Sequence, residues 1–67
     1  MNNEMFNEYA DVVELKDLQN MLCVGRNTAL RLLSTETIQN FRIGNRYKIP
    51  KISVIQYVLS KAGVQNV

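Results

Sequence analysis

The sequence predicts a small α+β domain made of two short helices, an antiparallel two-stranded hairpin and a C-terminal helix. Three observations predict it. Apolar residues recur at helical spacing from Leu15 to Leu22 and again after Gly25, with only Cys23-Val24-Gly25 between the two runs. The stretch NFRIGNRYKIPK, residues 40–51, threads Arg42, Arg46, Lys48 and Lys51 between Phe41, Ile43, Tyr47 and Ile49, with Gly44-Asn45 in the middle. After Pro50 a third apolar run returns to helical spacing.

The first helix places Leu15, Leu18, Met21 and Leu22 on one stripe, and Glu14 and Asp17 sit at its start, where negative charge suits the helix dipole. The second begins at about Arg26 with Gly25 as N-cap. On its wheel Ala29, Leu32 and Leu33 cluster inward, Asn27, Arg31 and Ser34 lie opposite, and Thr28 and Leu30 flank them. Two helices joined by a three-residue turn, the second with a polar and basic outer face, form the helix-turn-helix pattern.

A strand is expected over Ile38–Ile43 and its partner from Arg46 or Tyr47 to Ile49. Loop length decides which side chains share a face. A two-residue loop mixes apolar and charged residues on both faces. The three-residue loop Gly44-Asn45-Arg46 turns Phe41, Ile43, Tyr47 and Ile49 inward, points Arg42 and Lys48 outward and leaves Arg46 free at the tip, so this register is expected. In the last helix Pro50 is well placed at the first position. Ile52, Ile55 and Leu59, with Val54 and Val58, supply the buried face, and Gly63 is the expected C-cap.

These elements assign 13–63 to one folded domain, preceded by an acidic, partly flexible segment at 1–12 and followed by a tail at 64–67. Within the N-terminal segment, Phe6 and Tyr9 are positioned to pack back onto the domain. A chain of 67 residues buries only about 60% of its unfolded surface, which disfavours a deep walled active site. There is no histidine and a single cysteine, so His-activated nucleophiles, His-containing metal sites and cysteine clusters are excluded, and no cofactor is implied. A non-enzymatic protein is expected. No apolar run approaches the roughly 18 residues of a membrane span, and one cysteine suits a reducing compartment, so a cytoplasmic location is expected.

The formal net charge of +2 conceals an asymmetry. Residues 1–20 sum to −4 and residues 21–67 to +6. Such a split suits a polyanion as partner of the second part, although a merely solubilising surface has the same signature.

The runs LQNMLCVGRNTALRLL and FRIGNRYKIPK, followed by an apolar helix, resemble the excisionase-type, MerR-like winged helix-turn-helix domains of bacterial mobile elements and phages. The similarity spans roughly residues 13–60 and is most specific in the wing, F-R-I-G-x-R-Y-K-I-P. Cys23 and Glu36 stand where that pattern often has glycine, Gly25 where a capping Ser is usual, Gln19 where a small apolar residue is usual, and Leu30 where Tyr is frequent.

The resemblance implies that Arg26, Asn27, Thr28 and Arg31 belong to a recognition helix in the major groove, and Arg42, Asn45, Arg46 and Lys48 to a wing against the backbone or minor groove. Arg31 suits a bidentate contact with guanine, with a solvated arginine as the plain alternative. Asn27 suits adenine or support of the helix start. Thr28 suits a phosphate, a thymine methyl or a backbone hydrogen bond, and Arg26 a phosphate or water. Arg46 and Lys48 suit phosphates, whereas Arg42 equally suits shielding of a sheet edge.

The implied function is a sequence-specific duplex-DNA-binding protein, an excisionase or recombination directionality factor that assists a tyrosine or serine integrase. It would act as a monomer or cooperatively on tandem sites. A small transcriptional repressor of a phage or mobile element is the alternative, and a protein-interaction module the rival from another class.

Overall fold

The computed structural model describes residues 6–63; the first five residues and the tail at 64–67 lie outside the described residues. In chain order the elements are β1 (Val12–Val13), α1 (Leu15–Leu22), α2 (Arg26–Ser34), β2 (Phe41–Ile43), β3 (Arg46–Pro50) and α3 (Lys51–Lys61). Among the described residues, three helices and a three-stranded antiparallel sheet of order β1-β3-β2 make a small α+β fold.

The helices follow the periodicity. α1 buries Leu18 and Met21, and the Asp17 carboxylate accepts the Glu14 backbone N–H at 3.2 Å, closing the helix start. Glu14 is therefore the N-cap rather than a first-turn residue. α2 starts after Gly25 in extended conformation and buries Ala29 and Leu33. Its last turn is held by Thr35, whose backbone N–H and hydroxyl both donate to the Arg31 carbonyl, at 3.0 and 2.7 Å.

From there Ile38 is 1% exposed, and the Asn40 side-chain amide donates to the carbonyls of Leu33 and Ile38, at 3.0 and 2.8 Å. The strand expected from Ile38 thus begins only at Phe41. Ile38, Leu18, Leu33, Ile49, Val13 and Val54 are the largest fully buried side chains, each worth about 1.5–3 kcal/mol in burial.

The hairpin departs from the expected register. Phe41 faces Lys48, Arg42 faces Tyr47 and Ile43 faces Arg46, so the loop is the two-residue Gly44-Asn45. Gly44 has φ +62°, the left-handed value that a tight II′-type hairpin turn requires at its first central position, and glycine adopts it without cost. Phe41 and Ile43 consequently share the outer face with Arg46 and Lys48 and are 47% and 61% exposed, not buried as expected. Arg42 shares the inner face with Tyr47 and Ile49 instead of pointing outward.

The sheet also has a strand more than expected: Val12 and Val13 pair with Pro50 and Ile49. The backbone N–H of Lys51 reaches the Asp11 carbonyl at 2.7 Å, and its ammonium donates to the carbonyls of Tyr9 and Phe6, at 3.1 and 3.4 Å. Phe6 and Tyr9 do pack against the core, edge to face at 6.0 Å.

Pro50 is the last strand residue and N-cap of α3 rather than its first helical residue. α3 buries Val54 and Ile55, while Ile52, expected inside, is 46% exposed. Gly63, at φ +77°, follows the C-cap Ala62.

Among the described residues beyond the N-terminal turn, two non-glycine residues lie in the left-handed region, Cys23 at φ 57° and Glu36 at φ 58°. An L-residue there costs about 1–2 kcal/mol, of which glycine's greater unfolded-state freedom would return about 0.4–1 kcal/mol. Cys23 is exposed and its thiol makes only a long contact to the Asn20 carbonyl, 3.8 Å. Cys23→Gly is therefore expected to raise stability by about 0.5–1 kcal/mol, read as a higher urea midpoint at unchanged m-value; a lower midpoint would contradict the strain.

Candidate functional site

Where the start of α1, the first turn of α2 and the hairpin meet, they enclose a shallow cleft of about 340 Å³. Lys16 comes from α1, Arg26 and Leu30 from α2, and Arg42, Asn45, Arg46 and Tyr47 from the hairpin, with Glu14 and Leu15 completing the lining. Arg26 and Leu30 are one turn apart, so one flank of α2 faces the cleft while Ala29 and Leu33 face the core.

Electrostatics at this place are set by two contacts. The Arg42 guanidinium lies 4.8 Å from the centre of the Tyr47 ring, a cation–π contact that orients the charge beside the cleft. Glu14 accepts from both outer-face cations of β3. Arg46 donates through its terminal nitrogen to Oε1 at 2.6 Å and through Nε to Oε2 at 3.3 Å, and the Lys48 ammonium bonds the same Oε2.

These donors hold the Glu14 carboxyl at about 2, well below the usual carboxylate range, with the Arg46 hydrogen bond the larger cause and the Lys48 bond next. The Arg46 guanidinium is raised in turn by the same hydrogen bond. Four cations and one carboxylate thus line the cleft, a net charge of +3.

Of the residues expected to form a site, Arg26, Arg42, Asn45 and Arg46 come together here. Asn27, Thr28 and Arg31 are exposed on α2 but do not line the cleft. Arg31 lies about 140° around the helix axis from Arg26, so it projects from a different side of α2 than the flank that faces the cleft. Lys48 is on the outer face of the hairpin, 24% exposed and bound to Glu14.

Arg46 is paired, not free at the tip as expected, although it remains 69% exposed. Lys16 and Glu14 were not anticipated as site residues. Lys16 carries no local signal beyond its charge. Glu14 reads locally as a helix-dipole residue, and its partners lie 32 and 34 positions away.

No protein-family model, no curated protein and no solved structure matches this chain. Among the described residues, no helix is long and apolar enough to cross a membrane.

Proposed function

We propose that the protein is a sequence-specific duplex-DNA-binding domain of the winged helix-turn-helix type. In this reading α2 enters the major groove, and the β2–β3 hairpin acts as a wing along the backbone. The observation that carries it is the cleft in which Lys16, Arg26, Arg42, Asn45 and Arg46 converge from three elements, since one polyanionic backbone is the ligand that rewards such a convergence. The first turn of α2, with no side chain capping it, adds backbone N–H groups beside the same cations.

Arg31 and Asn27, exposed and outside the cleft, are then the side chains left for base edges, while Thr28 and Lys48 serve phosphates at the margin. The biological role that accords with the sequence resemblance is that of an excisionase working in the cytoplasm with a tyrosine or serine integrase. A small repressor of the same element uses the same surface.

A single module of this kind offers only about 600–1,000 Å² of contact, which favours tandem sites or a helper protein. The test is a salt titration of a labelled duplex mixture. If the net charge of +3 neutralises three phosphates, the log–log slope of affinity against salt is about −2.7. A second reading, docking of a protein partner, is favoured by Val12, Phe41 and Ile43 standing 46%, 47% and 61% exposed. Salt-insensitive duplex binding, or none at micromolar protein, would transfer the case to it.

A further inference from the structure

We propose that Glu14 is an autoinhibitory residue: in the free protein its carboxylate occupies the position of a nucleic-acid phosphate between Arg46 and Lys48, and a polyanion reaches those cations only by displacing it. The inference rests on the DNA-binding reading above and concerns the regulation of that same surface.

The geometry is that of an internal ligand. The Arg46 fork meets both carboxylate oxygens, at 2.6 and 3.3 Å, and Lys48 shares one of them. A guanidinium fork of this kind accepts a carboxylate or a phosphate alike. Glu14 is well anchored for the task. Val13 before it is paired with Ile49, and its own backbone N–H is held by Asp17, so the carboxylate is presented to the hairpin by a fixed stretch of chain.

The pair is nonetheless reachable from water, Arg46 at 69% and Glu14 at 34% exposure, and exposed ion pairs are weak enough to exchange. The hydrogen bonds from Arg46 and Lys48 keep the carboxylate ionised at neutral pH, so it competes at all physiological pH values.

An occupancy threshold follows from the competition. A random duplex, held by phosphate contacts alone, must give up part of its gain to displace Glu14. A target duplex that also satisfies the exposed face of α2 has further contacts to offset the same loss. Because both duplexes bear the same loss, the ratio of their affinities is unchanged, and the weaker random-duplex binding is the first to fall below the working protein concentration.

The experiment measures affinity of the full chain for a labelled random-sequence duplex at two salt concentrations. It compares the parent, Glu14→Gln, the pair Arg46→Ala/Lys48→Met, and all three substitutions together. Glu14→Gln is expected to tighten random-duplex binding by about 2- to 30-fold, two exposed ion pairs being released, and to steepen the salt slope by about 0.9. In the Arg46→Ala/Lys48→Met background the same substitution is expected to gain less than twofold.

An unchanged affinity and slope in Glu14→Gln, with the parent binding in a salt-dependent way, overturns the proposal and leaves the DNA reading intact. A full gain that persists without Arg46 and Lys48 also overturns it, since net charge alone would then be the cause. If neither parent nor Glu14→Gln binds duplex, both readings fall. Should Glu14→Gln lose its helical circular dichroism, Glu14→Asp keeps the charge but shortens the reach. An intermediate gain is expected from it, and no gain again overturns the proposal.

Discussion

Ile49→Ala is expected to remove about 2–5 kcal/mol of stability, which is most of what a domain of this size has. Ile49 is 0% exposed on the central strand, paired with Val13, in the core to which α1, α2 and α3 each contribute buried side chains. Nothing nearby can collapse into the space without moving a strand that is bonded on both sides. At about 4–8 °C per kcal/mol for a small domain, the thermal midpoint should fall by roughly 8–40 °C. Ile43→Ala on the neighbouring strand is the control. With 61% of its surface in water, it should stay within about 0.5 kcal/mol of the parent. A large loss at Ile43 would mean that the hairpin register is wrong, because the alternative three-residue loop buries that side chain.

The second large effect concerns Arg31 and Arg26, which α2 directs to different surfaces. If Arg31 reads guanine, Arg31→Ala should cut the preference for a selected target over random duplex by about 1–3 kcal/mol, or about 5- to 150-fold. Arg26→Ala should weaken both duplexes alike and flatten the salt slope by about 0.9, because a phosphate contact carries no sequence information. The check is a pair of affinity measurements for each variant on the same two duplexes. Equal losses from Arg31→Ala would make it another phosphate contact and leave base reading to Asn27.

The helical part of the fold was legible because its signal is local. Leu18 and Met21, then Ala29 and Leu33, repeat at three or four residues, and those are the side chains the structure buries. The hairpin was not legible in the same way. Placing Phe41, Ile43, Tyr47 and Ile49 on one face assumed that a core covers the whole ribbon. Helices cover only the half near Ile49, so nothing enforces burial at the Ile43 end, and the turn preference of Gly44 decides the register.

The strand at Val12 was missed because two residues carry no periodicity and their partners, Pro50 and Ile49, lie beyond both helices and the turn of the hairpin. The same distance hid the Glu14 contacts with Arg46 and Lys48. Four of the eight expected site residues nevertheless meet in the cleft, since the topology brings the basic residues beside Gly44-Asn45 next to the start of α2. The strained conformations at Cys23 and Glu36 coincide with two of the positions where the sequence departs from the glycine-bearing pattern it resembles.

Pairing of Val12 and Val13 with Pro50 and Ile49 has a kinetic corollary. The sheet is complete only when Val13 and Ile49 have met, with residues 14–48 closed as a loop between them. Entropy of loop closure must be met before that contact contributes, which slows the search relative to a bundle of comparable length. It also ties late and early segments into one cooperative unit, so amide protons across the helices should exchange through a shared opening rather than by fraying from either terminus.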